Sequence, residues 1–185
     1  MLQDNNQKHS LYTQVKSTEL KTEHVLVAIV EDTPLVFSKI AGLFRRRGFN
    51  IKSLTIGKSE QPAYLRMTVV VDGTKTDTEQ VIKQLYKVIE VIKVTDISFE
   101  QNVIQELALV KIYATKSTRS EIMQIVDIFR AKIVHVGHDS LMVEITGDST
   151  KINSFLDLIR SFGIKELART GVTAMNRGSD PKTFN

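Results

Sequence analysis

The chain of 185 residues contains no cysteine. That removes disulfides, zinc–thiolate sites and cysteine nucleophiles together. No apolar run approaches the roughly 18 residues that a membrane-spanning helix needs. The N-terminal stretch before His24 is polar and lacks the apolar centre of a secretory signal. Asp4 and Glu19 in that stretch also argue against a transit peptide. Neither sign of charge dominates: 25 basic against 21 acidic residues leave +4. That is a weak lean beside the concentrated basic footprint of a nucleic-acid binder.

Short signatures of chemistry are missing too. There is no GK[ST] phosphate loop and no G-x-S-x-G nucleophile elbow. No RNP-like aromatic strand, recognition helix or stacking platform accompanies the basic residues. The carboxylates are scattered, and no two stand out as an acid–base couple. Of the four histidines, His9, His24, His135 and His138, the last two flank an expected hairpin tip. With no third ligand converging in sequence, a turn is the simpler role for them and for Asp139. No metal or cofactor site is expected in this chain. These absences favour binding or regulation over catalysis.

What is there is a globular balance, 42% hydrophobic and 25% charged residues, which speaks for a packed core. The length suits one or two small domains, and cores of that size favour oligomers. HVLVAIV (24–30) reads as a strand, and EDTP turns the chain. Thr33 is placed to cap a helix with Pro34 at its first position. Val36, Phe37, Ile40 and Phe44 share one face of it, and Gly48 fits its terminator. IKSLTIG (51–57) and LRMTVVV (65–71) follow as strands, the second alternating through Leu65, Met67, Val69 and Val71. A helix over 76–89 buries Val81, Ile82, Leu85 and Ile89, and VIKVTDISF (91–99) closes the unit.

The pattern then repeats. ELALVKIYA (106–114) is a strand, and 119–130 a helix with Ile122, Val126 and Phe129 inward. KIVHVG (132–137) and SLMVEIT (140–146) form a hairpin. A helix over 150–161 turns Ile152, Phe155 and Ile159 inward, and 164–175 supplies an irregular last strand. The expected fold is therefore α+β, two tandem ferredoxin-like βαββαβ domains over 23–100 and 101–178. A flexible arm is expected over 1–22 and a tail over 179–185. No long glycine or serine linker lies near Gln101–Glu106, which predicts closely coupled halves. Each sheet has one face under two helices; the other must be polar or meet something else. That geometry invites dimerisation, side by side or face to face.

Two places invite a functional reading. Arg45, Arg46 and Arg47 lie at an expected helix C-terminus, where cations are favoured, and also suit contact with a protein partner. The helix start after EDTPL offers backbone N–H groups that hold a carboxylate as readily as a phosphate. Asp32 beside it either completes the turn or accepts from an ammonium group. A small zwitterion fits the second role.

SKIAGLFRRRGFNIKSLTIG (38–57), LRMTVVV (65–71), QLYKVIEVIKV (84–94), ELALVKI (106–112) and ARTGVTAMNRG (168–178) closely resemble the small, regulatory subunit of acetolactate synthase. The resemblance covers about residues 23–178. It implies an N-terminal ACT domain that pairs across subunits, followed by a second domain of ferredoxin-like type. It implies feedback by valine at the paired interface, and activation of a large catalytic subunit that carries thiamine diphosphate, magnesium and FAD in branched-chain amino acid synthesis. No catalysis is expected of the small subunit alone.

On that pattern the effector-binding positions are Asp32, Leu35, Val36, Asn50 and Ile51, the last two contributed by the neighbouring chain. Thr55 falls on the threonine of the following strand. The family normally has glycine at the position of Leu35, where a branched side chain now stands beside the carboxylate cradle. Valine is therefore expected to bind weakly or not at all. The short polar arm, unlike a conventional import sequence, fits a bacterial cytoplasm or synthesis within a plastid, and no membrane or nucleic-acid partner is expected. A free-standing amino-acid sensor with another target is the alternative.

Overall fold

The computed structural model describes residues 22–99 and 101–178. Strand β1 (Thr22–Glu31) carries Leu26, Ala28 and Val30 on one side and Val25, Val27 and Ile29 on the other, all buried. After it come helix α1 (Val36–Arg47), strands β2 (Ile51–Lys58) and β3 (Tyr64–Gly73), helix α2 (Lys75–Leu85) and strand β4 (Val91–Asp96). The strands form an antiparallel sheet in the order β2-β3-β1-β4. Strand β5 (Asn102–Tyr113), helix α3 (Arg119–Ile128), strands β6 (Lys132–Val136) and β7 (Ser140–Gly147), helix α4 (Ser149–Ile159) and strand β8 (Ile164–Arg169) repeat that plan as β6-β7-β5-β8. The fold is α+β with a βαββαβ-like unit used twice. The arm and the tail lie outside the described residues, except for Thr22, which opens β1.

The helical periods locate both cores. Val36, Ile40, Leu43, Phe44, Val81 and Leu85 pack on Leu26, Met67 and Val69. Ile122, Val126, Ile152, Phe155 and Ile159 pack on Val110, Ile112 and Val143. Two stripe positions differ from expectation. Phe37 is 42% exposed, because the buried arc of α1 turns through Leu43 instead. Ile89 is 86% exposed, because α2 stops at Leu85. The Lys87 and Val88 N–H groups then bond back to the Gln84 and Leu85 carbonyls in tighter turns, and Val88 takes the inward place. The Tyr86 hydroxyl fixes this helix end on β4: it accepts from Val94 N–H at 3.0 Å.

The expected last strand over 164–175 breaks in two. After β8 the chain leaves the second sheet at Thr170, and β9 (Thr173–Asn176) pairs with Asn102–Gln105 of β5. That pairing extends β5 four residues upstream of the expected start at Glu106. Val172, Ala174 and Ile104 thereby cover the helix-free face of the first sheet, against Val25, Val27, Val70 and Ile97. Val70 is buried on the face opposite Val69 and Val71 for this reason.

Candidate functional site

The turn between β1 and α1 is built from both ends of the first unit. Glu31 N–H donates to the Glu90 carbonyl at 2.8 Å, and Asp32 N–H to the Ala63 carbonyl at 3.0 Å. Val36 N–H donates to the Thr33 carbonyl at 3.2 Å, closing a turn over Thr33–Val36. Leu35 has φ −103° and ψ −4°, the third-residue geometry of a type I turn, which favours proline at its second position. Pro34 therefore belongs to this turn and not to the first turn of the helix. Thr33 is not the cap: α1 begins at Val36 after Leu35 with no side-chain cap, and Thr33 Oγ1 is buried with no hydrogen-bond partner. The helix start thus has no side-chain cap; the turn takes the Val36 N–H, and the first-turn N–H groups after it have no intrahelical partner.

One turn along α1, Lys39 ion-pairs with Glu90, whose carboxylate is nearly buried. The Lys39 hydrogen bond holds Glu90 below the usual carboxylate range. Its second oxygen, Oε2, has no hydrogen-bond partner. This pair joins α1 to the start of β4 directly behind the turn. Sequence reading passed over both residues, although a lone carboxylate inside the apolar run VIEVIKV was a visible signal.

Asp32 and Leu35 are exposed, Leu35 by 63%. Val36 is fully buried in the core, so it offers a ligand backbone only. Asn50 is exposed and donates to Asp72 Oδ2 at 3.2 Å, while Ile51 is half-buried against the first core. These two groups do not meet within one chain. Ile51 pairs with Val71, which pairs with His24; Asp32 follows Glu31, paired with Tyr64. They stand at opposite ends of the sheet, about 23 Å apart at strand rise.

Among the described residues, the outer edge of β2 is unpaired. Near its Ile51 end, Lys52 bonds Glu23 at 2.7 Å and lies 3.7 Å from Asp72. The Glu23 carboxylate raises the Lys52 ammonium above its usual range. Lys52 also faces a cleft of about 500 Å³ between the units, shared with Ser53, Glu106 and Arg169. Across it Glu106 pairs with Arg169 at 2.5 Å. The cleft's charges are thus satisfied by one another. Arg45, Arg46 and Arg47 fill the last turn of α1, and Gly48 ends it at φ 64°. His135 and His138 belong to no cluster of three metal-ligating side chains among the described residues.

Residues 26–93 match the family described as AHAS small subunit-like ACT domain, and residues 105–178 that described as small subunit of acetolactate synthase. The probable acetolactate synthase small subunit of Methanothermobacter thermautotrophicus is 54% identical over 84% of this chain and 94% of its own length. The acetolactate synthase small subunit of Bacillus subtilis is 44% identical over 86% and 94%. The crystal structure of the acetolactate synthase small subunit from Thermotoga maritima superposes with a TM-score of 0.81 at 42% identity, over 86% of this chain and 99% of that one. Together with the repeated βαββαβ plan, these matches establish that the chain belongs to the family of acetolactate synthase small subunits, the regulatory side of that enzyme.

Proposed function

We propose that two copies of this chain pair through their β2 edges and that the pair governs a separate acetolactate synthase catalytic subunit. The carrying observation is the free edge of β2 together with the separation of Asp32 from Asn50. In an antiparallel pairing of two β2 strands, the Ile51 end of one lies beside the Lys58 end of the other. Lys58 pairs with Leu65, which pairs with Val30. Asn50 and Ile51 of one chain then arrive at the same end of the joined sheet as Asp32 and Leu35 of its partner. The uncapped start of α1 would hold a carboxylate, and Asp32 an ammonium group. An amino-acid effector has both.

The catalytic partner would carry the thiamine diphosphate, magnesium and FAD, and this chain would bind and bias it. Two tandem domains, the first of ACT type, would divide the work between effector and partner. Leu35 is the specificity-determining position, because its side chain stands where the family has glycine. The test is acetolactate formation by the thiamine-dependent catalytic subunit, titrated with this chain, with and without valine. Activation with weak or no valine inhibition is the expected result. Strong valine inhibition would overturn the Leu35 reading, and failure to activate a competent catalytic subunit would overturn the regulatory one.

A further inference from the structure

The C-terminal crossing meets the first sheet on the strand that pairing requires. Thr170 is held to the second unit: its N–H donates to the Leu107 carbonyl at 2.9 Å, and its Oγ1 accepts from Leu107 N–H at 3.0 Å. The next two residues rest on β2. Val172 N–H donates to Ser53 Oγ at 2.9 Å. A β-carbon on Gly171 would stand 2.4 Å from Ser53 Oγ, 2.6 Å from Thr55 Oγ1 and 3.3 Å from the Leu54 carbonyl. A side chain here would force the Ser53 and Thr55 hydroxyls to turn away or β2 to shift, and would crowd the Leu54 carbonyl. Thr55 Oγ1 is buried under the contact with no hydrogen-bond partner. Farther along, Arg66 of β3 donates to the Ala174 carbonyl at 3.0 Å.

We infer that Gly171 and Val172 form a positioning strap, by which the second unit sets where β2 lies and so sets the edge at which two chains pair. The inference rests on the pairing proposed above. Among the described residues β2 is bonded on one side only, to β3, and its register already shifts between Ile51 and Ser53. The strap bears on the strand at that weakly held end. Edge pairing depends on register, so a displaced β2 presents a poorer template to a second chain. Coupling of this kind is reciprocal. A ligand or partner that moves β2 is felt at Thr170 and along β5, which runs on into the second sheet.

The full-length chain tests this by sedimentation across a dilution series, together with hydrogen exchange of the β2 and β7 amides. Gly171→Ala is expected to weaken self-association about tenfold, within the usual range of inter-site coupling. It should speed exchange in β2 and leave β7 unchanged. Ser53→Ala keeps the space and removes only the acceptor of Val172 N–H; it should act in the same direction by about fivefold or less. A Gly171→Ala chain with wild-type association and wild-type β2 exchange overturns the strap. So does one in which β2 and β7 exchange rise together, which is general destabilisation. A wild-type chain that stays monomeric at all concentrations instead overturns the pairing itself, and the claim about its edge with it.

Discussion

On the first sheet, the helix-free face of Val25, Val27 and Val70 is sealed by Val172, Ala174 and Ile104. On the second sheet, Leu109 and Tyr113 occupy outward positions of the equivalent strand β5 and remain 37% and 51% exposed. Between them Lys111 is 3.8 Å from Glu166 on the neighbouring strand. Strand order is the same in both units, so topology did not decide the outer face. Chain connectivity did. The segment that leaves β8 has the first sheet within reach, and its small residues fit closely against it. The second sheet has no such cover among the described residues and carries a mixture of apolar and paired charged groups.

The helix-side cores should answer alike, and this is the largest effect. Phe155→Ala in the second unit is expected to cost about 3–5 kcal/mol, and Leu26→Ala in the first about 2–5. Urea unfolding followed by far-UV circular dichroism reads both. A response from one core only would show that the units are not equals. The outer faces should then separate. Ala174→Asp places a carboxylate in a sealed apolar contact and should cost about 2 kcal/mol or more. Leu109→Asp on the open face should change stability by about 0.5 kcal/mol. Equal costs would mean that the second face is covered in solution.

A smaller contrast lies in acid. Lys39 lowers Glu90 from 4.5, and Lys165 lowers Asp139 from 3.8. A carboxylate with a depressed folded pKa stabilises the fold above its unfolded value, and that contribution is lost as pH falls through the folded one. Glu90→Gln should therefore flatten the loss of stability below pH 4.5. Asp139→Asn should do so only below 3.8. The Asp139 effect should vanish in high salt, since that side chain is 70% exposed and Glu90 only 9%. Thermal melts at stepped pH with and without salt distinguish the two.

A last contrast concerns helix ends. α1 closes on Gly48 at φ 64°, and the chain after α3 passes through Arg130 at φ 51°. Arg130→Gly should stabilise the second unit, and Gly48→Ala should destabilise the first, each by about 1 kcal/mol. Melting temperatures moving in opposite directions would confirm that the two turns do the same work with different residues.

Much of this plan was legible because period and punctuation are local properties. Ile122, Val126, Ile152 and Phe155 announced their helix faces, and Gly48 its turn. Pro34 misled because it suits both a type I turn and a helix start; the Thr33 carbonyl, accepting from Val36, selects the turn. Ile89 misled because the tight turns after Gln84 and Leu85 end its helix early. The crossing at Thr170–Val172 had no period to read, since its partners lie in the other unit. The separation of Asp32 from Asn50 was legible only through the family resemblance, which assigned Asn50 to the neighbouring chain, because sequence spacing does not say which end of a sheet a residue will reach.

The late position of the strap in the chain has a consequence for synthesis. Chains fold in the order in which they leave the ribosome. Ser53 meets Val172 across 119 residues, and Arg66 meets Ala174 across 108. The first sheet can therefore assemble on its helices long before its outer lining has been translated. Until then Val25, Val27 and Val70 face water as an adhesive strip beside an open strand edge, a surface on which a nascent chain is prone to associate wrongly. β9 ends this exposure, so the first unit is finished only after the second has been translated.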